Sequence, residues 1–165
     1  DLNVASSNAV NGTLNISGGD VNIDIPTAGA ATEMAFIVDN GSTINVQDAE
    51  ITVKPKNIAF AIFNEDYAYH NIETIINLTN VTLDATKGYG IQCPFGAKKV
   101  EINLANTSIT GSKGIHLMDV QEVVITVDAA SAVDQINVEG CTSVTVNYAG
   151  TKPNVIGNNV TFVAL

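Results

Sequence analysis

The side chains best suited to chemistry in this sequence are concentrated in one segment, residues 63–73. This segment holds two adjacent carboxylates, two tyrosines and one of the two histidines of the chain: Glu65, Asp66, Tyr67, Tyr69 and His70. Tyrosine rings pack against sugar rings, and carboxylate oxygens bind hydroxyl groups or Ca²⁺. We therefore predict that these five residues bind a ligand. The alternative is a solvated surface loop whose tyrosines lie back on the scaffold.

A second set of polar residues recurs at strand-like positions further along the chain. Gln92, His116, Asn137 and Glu139 lie in or beside short segments of alternating apolar residues, and the alternation points them away from the core. One outward row is predicted to contain Ile37, Ala61, Gly90, His116 and Asn137, and the next row Asp39, Phe63, Gln92, Met118 and Glu139. The four polar residues form a candidate ligand-binding strip. The alternative is an exposed histidine on an ordinary sheet face, and no catalytic residue is assigned.

A short repeat positions these residues. The pattern of an apolar residue, Asn or Thr, and a second apolar residue returns six times, starting at Leu14, Ile44, Ile76, Ile102, Ile125 and Val144. The intervals between the copies range from 19 to 32 residues. A period of this size is typical of a solenoid, in which each repeat buries its apolar face against the next one.

Each repeat is predicted to contain three short strands, and the first two meet at a corner. The corner residue is Gly18, Asp48, Asn80 or Asn106 in the first four repeats, and these residue types tolerate the left-handed backbone conformation. Ala129 and Tyr148 take that place in the last two repeats, so we expect a different corner there. The outward polar position forms a predicted ladder of amide and hydroxyl groups at Asn15, Asn45, Asn77, Asn103, Thr126 and Thr145.

The third strand of each repeat supplies the rest of the core. Alternation predicts two inward rows, one of Phe36, Phe60, Tyr89, Ile115 and Ile136, and one of Val38, Ile62, Ile91, Leu117 and Val138. The small outward residues, which include Ala35, Ala59 and Ala61, are expected to be covered by the loop of residues 24–34. The fold class is therefore all-β, a single parallel β-helix domain over residues 1–165 with about six coils. Residues 1–13 complete a partial first coil, and residues 160–165 form a last strand.

Composition excludes several classes of function. The formal net charge is −10 and the chain has no Arg, which argues against nucleic-acid binding. No apolar stretch reaches the length of a membrane span.

Cys93 and Cys141 fall about two coils apart, so their Cα atoms would lie roughly 9.6 Å apart, beyond the reach of a disulfide. We predict that both thiols are reduced and at least partly buried. The chain begins at Asp1, as expected of a mature protein or of a piece of a longer one.

One segment makes the resemblance to a known family specific. Gly114-Ile115-His116-Leu117, followed after a short loop by residues 123–127, resembles the repeat of pectate-lyase-like right-handed parallel β-helices. Right-handed crossovers are also the strong expectation for parallel strands. The resemblance covers residues 14–165 and implies that the third strands form the sheet called PB1. It also implies that a ligand would lie on the outer face of that sheet, beside the variable loops.

The resemblance leaves the activity open, because this superfamily includes lyases, hydrolases, epimerases, adhesins and phage tail proteins. Its lyases typically use a basic residue, commonly Arg, with acidic Ca²⁺ ligands, and its hydrolases use clustered Asp residues. This chain has no Arg, and the acidic residues near the sheet are Asp39, Asp119 and Glu139, which are spread over different coils. Two carboxyls at the spacing that inverting hydrolysis needs are not predicted.

We therefore expect a non-catalytic, extracellular or cell-surface module that binds a polysaccharide or a cell-surface glycan, or acts as an adhesin. The first alternative is a polysaccharide lyase or glycoside hydrolase that uses His116 or His70. The second is a purely structural stalk segment with end-to-end or flanking-domain contacts. No cofactor and no metal site is predicted; Ca²⁺ remains an option that no motif supports.

Overall fold

The structure, a computed structural model, describes residues 1–26, 30–63 and 71–165. These residues form an all-β fold. The strands are β1 (Leu2–Val4), β2 (Asn8–Val10), β3 (Thr13–Ile23), β4 (Glu33–Val38), β5 (Thr43–Val53), β6 (Asn57–Ile62), β7 (Glu73–Asp84), β8 (Tyr89–Cys93), β9 (Ala97–Ala105), β10 (Ser108–Thr110), β11 (Ile115–Met118), β12 (Val120–Val127), β13 (Ala132–Val133), β14 (Ile136–Glu139), β15 (Ser143–Tyr148), β16 (Val155–Gly157) and β17 (Val160–Ala164).

The described strands form two parallel sheets that the chain visits in turn. The larger sheet has the order β1-β3-β5-β7-β9-β12-β15-β17, with β10 and β13 beside this path. The smaller sheet has the order β16-β14-β11-β8-β6-β4-β2. Each strand therefore pairs with its equivalents in the previous and the next repeat. The predicted all-β class is confirmed, and the long parallel sheets are compatible with a β-solenoid.

The predicted corner is confirmed in the first four repeats. The φ angles are +76° at Gly18, +54° at Asp48, +55° at Asn80 and +48° at Asn106. The long strands β3, β5 and β7 therefore bend within their length, because these residue types accept a left-handed backbone at low cost.

The fifth repeat turns differently, whereas the sixth keeps a left-handed corner, which is at Gly150 and contradicts the expected change there. In the fifth, the carboxylate of Asp128 accepts hydrogen bonds from the Ser131 hydroxyl at 2.6 Å and from the backbone N–H of Asn106 at 3.0 Å. In the sixth, the prediction of Tyr148 at the corner is wrong, because Tyr148 pairs with Val127. The strand register instead aligns Gly150, whose φ is +85°, with Ala129.

The outward amide ladder exists, but its last member differs from the prediction. Amide groups donate from Asn45 to Asn15 at 2.9 Å, from Asn77 to Asn45 at 2.8 Å and from Asn103 to Asn77 at 2.9 Å. Thr126 continues the row, but Thr145 does not, because Thr126 pairs with Asn147. The interval between the fifth and sixth repeats is therefore 21 residues, from Ile125 to Val146, rather than 19.

The core is aliphatic, and its few buried polar groups are bonded. Phe36 and Phe60 stack with their ring centroids 5.7 Å apart, and Ile44, Ile76, Ile102 and Ile125 form a fully buried column. The buried Thr74 hydroxyl donates to the Ser42 carbonyl at 2.8 Å. These bonds offset the free-energy cost of burying a hydroxyl group.

The inward rows of the smaller sheet differ from the prediction at β8. The prediction placed Tyr89 opposite Phe60, but Phe60 pairs with Ile91 and Tyr89 pairs with Ile58. Ile91 therefore belongs to the Phe36–Phe60 row, and Cys93 occupies the row of Leu117. Tyr89 is only half-buried, so its predicted place inside the core is wrong.

A break in strand alternation explains the error. Ala35 and Ala59, which were predicted to face outward, belong to the buried core together with the Phe that follows each of them. Gly90 occupies the aligned position in β8, and a Cβ there would approach the carbonyl of Gly114 and lie 2.7 Å from Cδ2 of Leu83. In β4, β6 and β8, two consecutive residues therefore face the core, and the first of them is small. The residue before them, Tyr89 in β8, points outward instead.

The remaining expectations divide between confirmed and untested. Cys93 and Cys141 are both buried and free, as predicted. Val160–Ala164 forms the last strand, as predicted. Ala61 is outward but fully buried. Residues 27–29 of the loop that was expected to cover this face lie outside the described residues, so the covering role stays a prediction.

Candidate functional site

The outer face of the smaller sheet carries one continuous row of side chains. The strand registers align Ala9, Ile37, Ala61, Gln92, His116, Asn137 and Ile156. Gln92 therefore lies in the same row as His116, directly opposite it, and not in the next row as predicted. Gly90, which was predicted to lie in this row, faces the core instead. Three polar side chains thus follow one another on β8, β11 and β14.

His116 makes a diagonal contact to Glu139. Its Nε2 atom lies 3.3 Å from Oε1 of Glu139, while the residue directly opposite His116 is Asn137. The His116 side chain is 19% exposed and that of Glu139 is 63% exposed. The carboxylate therefore reaches solvent and at the same time orients the half-buried imidazole.

Tyr89 extends the site towards the N-terminal end of its strand. Its ring and that of His116 are nearly parallel, at an interplanar angle of 12°, with the ring centroids 6.4 Å apart. The ammonium group of Lys113 lies 4.5 Å from the Tyr89 ring centroid, within the range of a cation–π contact. Sequence reasoning missed both residues because it assumed strict alternation through Gly90. The Gly-x-Gly pattern of residues 88–90 was the available signal, since paired glycines in a strand often mark a close approach of the backbone.

Asn137 is held by a small hydrogen-bond network. Its amide nitrogen donates to the Ser112 carbonyl at 2.7 Å, and its oxygen accepts from the Gln135 side chain at 2.7 Å. An amide fixed on both sides loses little conformational freedom when it binds a further partner. The site therefore presents preorganised polar groups rather than a flexible surface.

Acidic groups border the site on the side where the strands end. Glu139 follows Asn137 on β14, and Asp119 follows β11 with a φ of +53°. The Asp119 amide donates to the Glu139 carbonyl at 2.8 Å, which fixes this turn beside the end of β14. A Cβ on Gly140 would meet the carboxylate of Asp119, which would have to move, and the φ angle of +64° at Gly140 also favours glycine.

The loop residues that were predicted to bind a ligand, namely Glu65, Asp66, Tyr67, Tyr69 and His70, lie outside the described residues. Their role stays a prediction. At the start of that loop Phe63 packs against Phe95, with ring centroids 5.6 Å apart and the rings inclined by 55°. Phe95 is 51% exposed, so an apolar surface lies where this loop leaves the sheet.

Further grooves of the described residues lie on the larger sheet and at its corner. One, of about 280 Å³, is lined by Ser42, Glu73, Ile75, Lys99 and Glu101, among others. A hydrogen bond from Lys98 lowers the pKa of the Glu73 carboxyl. A second, acidic groove contains Asp20, Asp48 and Glu50. No group of three or more His, Cys, Asp or Glu side chains in the described residues is arranged to hold a metal ion.

The chemistry available at the site is hydrogen bonding and acid–base exchange. His116 and Glu139 are within hydrogen-bond reach of each other, and Gln92 and Asn137 supply amide donors and acceptors.

In the part of the chain that the structure describes, no helix is long and apolar enough to cross a membrane. No protein-family model, curated protein or solved structure matches this chain.

Proposed function

We propose that this chain is a right-handed parallel β-helix module of about six coils, similar to the pectate-lyase-like superfamily, that binds carbohydrate without cleaving it. Its place is extracellular or at a cell surface, and its ligand is a polysaccharide or a cell-surface glycan. The repeat of the sequence, the alternation of the chain between two parallel sheets and the acidic surface support this proposal. The ligand lies on the outer face of the smaller sheet, which takes the place of PB1.

The observation that carries the binding proposal is the row of Gln92, His116 and Asn137. These side chains repeat at the spacing of neighbouring strands, about 4.8 Å. That spacing is comparable with the length of one sugar unit in an extended polysaccharide. A linear glycan that follows the row would therefore present successive hydroxyl groups to successive polar side chains.

The aromatic and acidic neighbours of the row fit the same ligand. Tyr89 adds a ring and a hydroxyl group beside His116, and Glu139 adds an exposed hydrogen-bond acceptor. The net charge of −10 and the carboxylates of Glu139 and Asp119 oppose a polyanion. The site therefore suits neutral glycans better than polyuronates.

The test is a binding screen against neutral, acidic and amino-sugar polysaccharides, with and without Ca²⁺. His116→Ala and Gln92→Ala should each weaken binding of the preferred glycan by roughly tenfold, the loss of about one hydrogen bond. Thr145→Ala is the matched control, because Thr145 is an outward strand residue of the larger sheet. The proposal fails if no glycan binds, or if the control weakens binding as much as the two site variants do.

The loop of residues 63–73 needs a variant of its own. If Tyr67 and Tyr69 belong to the same site, replacing both with Ala weakens the same glycan. If the double variant binds like the wild type, the ligand contacts the sheet and not the loop.

A lyase or hydrolase is the second candidate, and the contact between His116 and Glu139 favours it. A base and an acid within hydrogen-bond reach are the minimum that proton transfer requires. Incubation of the bound polysaccharide with the wild-type chain, followed by measurement of new reducing or unsaturated ends, separates the two functions. Turnover that is abolished in His116→Ala establishes the enzyme; intact polymer after long incubation leaves the binding module.

A further inference from the structure

One stack of strands in the larger sheet stops while the coil beside it continues. Strand β10 pairs with β7 on one side and with β13 on the other, whereas β13 pairs with β10 alone. Ahead of β13, Tyr148 of the sixth coil aligns with Val127 of the fifth. After β13, Val155 aligns with Ile136. Between these aligned pairs the sixth coil is two residues shorter, and its residues 149–154 are not in a strand.

The sixth coil is bonded to the fifth at both ends of this gap. The Ala149 amide donates to the Val127 carbonyl at 2.9 Å. The Ile136 amide donates to the Asn154 carbonyl, also at 2.9 Å. Between these two bonds lies a groove of about 380 Å³, which we call the β13 groove. Its lining includes Ser131, Ala132, Val133, Thr151, Pro153 and Asn154. The volume falls within the range of ligand pockets, roughly 300–1,000 Å³.

The main chain of Val133 faces the β13 groove. The Ala132 amide donates to the Thr107 carbonyl at 2.9 Å. The Asp134 amide donates to the Ile109 carbonyl at 3.0 Å, so both amides point to β10. Because successive residues of a strand direct their hydrogen-bonding groups to opposite sides, the N–H and C=O groups of Val133 point away from β10. Among the described residues neither group has a hydrogen-bond partner. An unpaired donor and acceptor on a strand edge are the groups that an added strand binds.

The core also lacks one side chain at this place. One inward column of the larger sheet runs through Val21, Ile51, Leu83, Ile109 and Val133. The first four have no more than 1% of their surface exposed, whereas Val133 is only partly buried. An apolar side chain that extended the column by one layer would cover Val133 and lose its own contact with water.

We propose that the β13 groove binds an extended peptide segment as one further parallel strand. A carbonyl of the peptide accepts from the Val133 N–H, and the amide two residues further along donates to the Val133 carbonyl. The residue between them places an apolar side chain on Val133. This proposal is independent of carbohydrate binding, because the β13 groove lies on the larger sheet and the glycan site on the smaller one.

The lining indicates which peptides fit. Lys152 is the one charged residue that lines the groove, and its ammonium group lies 3.7 Å from the centroid of the Phe162 ring. The groove therefore suits an uncharged segment. The chain's own strand in the neighbouring layer of the stack has this character, since β10 is Ser108-Ile109-Thr110 and Ile109 lies directly beside Val133. A ligand of the same pattern has one branched apolar residue between two small polar ones.

The probe is the acetylated and amidated peptide Asn-Thr-Ser-Ile-Thr-Gly-Ser, which copies residues 106–112. Before it is added, the Val133 amide should exchange with solvent at least about tenfold faster than the bonded Asp134 amide. A strand this short binds weakly, so the peptide is titrated to millimolar concentration while amide resonances are recorded by NMR. The Val133 resonance should shift to saturation, and its exchange should slow by about tenfold. The same peptide with Asp in place of Ile should leave the Val133 resonance unchanged.

Two variants test the place of binding. Thr151→Phe puts a ring into the β13 groove and should abolish the peptide-induced shifts, whereas Thr142→Phe, at another exposed position of the sixth coil, should keep them. Val133→Pro removes the N–H and should weaken binding by roughly tenfold, read at the amides of Thr151 and Asn154. Val133→Ile keeps the N–H and is its control.

Three results would overturn the proposal. The first is an unchanged Val133 resonance at millimolar peptide, and the second is equal binding of the peptide that contains Asp or by folded Thr151→Phe. The third is a Val133 shift that depends on protein concentration alone, which would make the occupant a second copy of the chain.

Discussion

The imidazole of His116 and the carboxylate of Glu139 meet diagonally across two neighbouring strands, with Nε2 3.3 Å from Oε1. They are 23 residues apart in the sequence and become neighbours only because β11 and β14 pair in parallel. A contact of this kind with a solvent-exposed carboxylate contributes little to folding stability. Its value lies in orienting the ring towards whatever occupies the outer face of the sheet.

Replacing the carboxylate should therefore separate binding from stability. In Glu139→Gln, we expect the free energy of unfolding to change by less than about 0.5 kcal/mol, because the Glu139 side chain is 63% exposed. Glycan affinity should fall, because the acceptor that orients His116 is weakened. Urea unfolding and calorimetric titration measure the two effects. Glu122→Gln is the control: Glu122 pairs with Lys99 at 3.2 Å on the larger sheet, and its loss should leave affinity unchanged. A large loss of stability in Glu139→Gln would contradict this account.

The close approach at Gly90 should make this position intolerant of any side chain. Gly90→Ala places a Cβ against the Gly114 carbonyl and 2.7 Å from Leu83, and we expect it to destabilise the fold by about 3 kcal/mol. The steric clash alone accounts for this, because the φ angle of Gly90 is not positive. Gly18→Asn is the comparison: a Cβ at Gly18 meets nothing within 4 Å, and the next repeats have Asp and Asn at that corner. Equal unfolding midpoints for the two variants would disprove the prediction.

The amide ladder should show a graded response along its length. Asn77 donates to Asn45 and accepts from Asn103, so Asn77→Ala removes two hydrogen bonds. Asn15 accepts one, from Asn45, so Asn15→Ala removes only that bond. At about 1 kcal/mol for each bond, Asn77→Ala should be about twice as destabilising. Unfolding in urea measures the loss in free energy of unfolding for each variant. If the ladder does not stabilise the fold, both losses will be near zero.

The buried thiols should be inert in the native state. Burial raises the pKa of Cys93 to about 12 and also raises the pKa of Cys141. Because only the thiolate attacks, labelling at pH 8 should be slow in the folded chain and fast in denaturant. Cys93→Ala leaves Cys141 as the single thiol and assigns the rates. Fast labelling of the native chain would show that the core opens readily.

The raised pKa of Cys93 also makes the stability of the fold depend on pH. The folded pKa of Cys93 lies above its ordinary value of 9.0, so this contribution to stability is complete below pH 9. It is lost as the pH rises from 9 to about 12, since the unfolded chain ionises first. Cys93→Ala should therefore flatten the decline of stability at alkaline pH.

The repeat was predictable because its signals are local. Gly18, Asp48, Asn80 and Asn106 each mark a backbone conformation that few residue types accept, and all four lie at the predicted corner. The amide ladder followed from the same alignment as far as Thr126. The prediction is wrong at Thr145 because two additional residues precede the sixth copy of the repeat. Apolar residues at alternating positions fit either register equally well, so the sequence did not reveal the shift.

The site was less predictable, because it depends on where alternation breaks. Ala59-Phe60 and Gly90-Ile91 send two consecutive residues into the core, and no property of these residues in isolation requires this. Because the prediction assumed strict alternation, it placed Tyr89 inside the core and Gln92 in the next outward row. In β11 and β14, His116 and Asn137 lie after the point where the alternation breaks. The prediction that these two residues share a row is therefore correct.

The strand pairing also determines how the chain would respond to force. A pull on Leu165 loads β17, which is bonded to β15 and to no other described strand, so the layers would detach one at a time from that side. The chain released by each event differs, because aligned residues lie 16 positions apart between Val146 and Phe162 but 32 apart between Ile44 and Ile76. Stretching a single molecule should therefore give a series of contour-length steps that lengthen as unravelling approaches the N-terminal half of the chain.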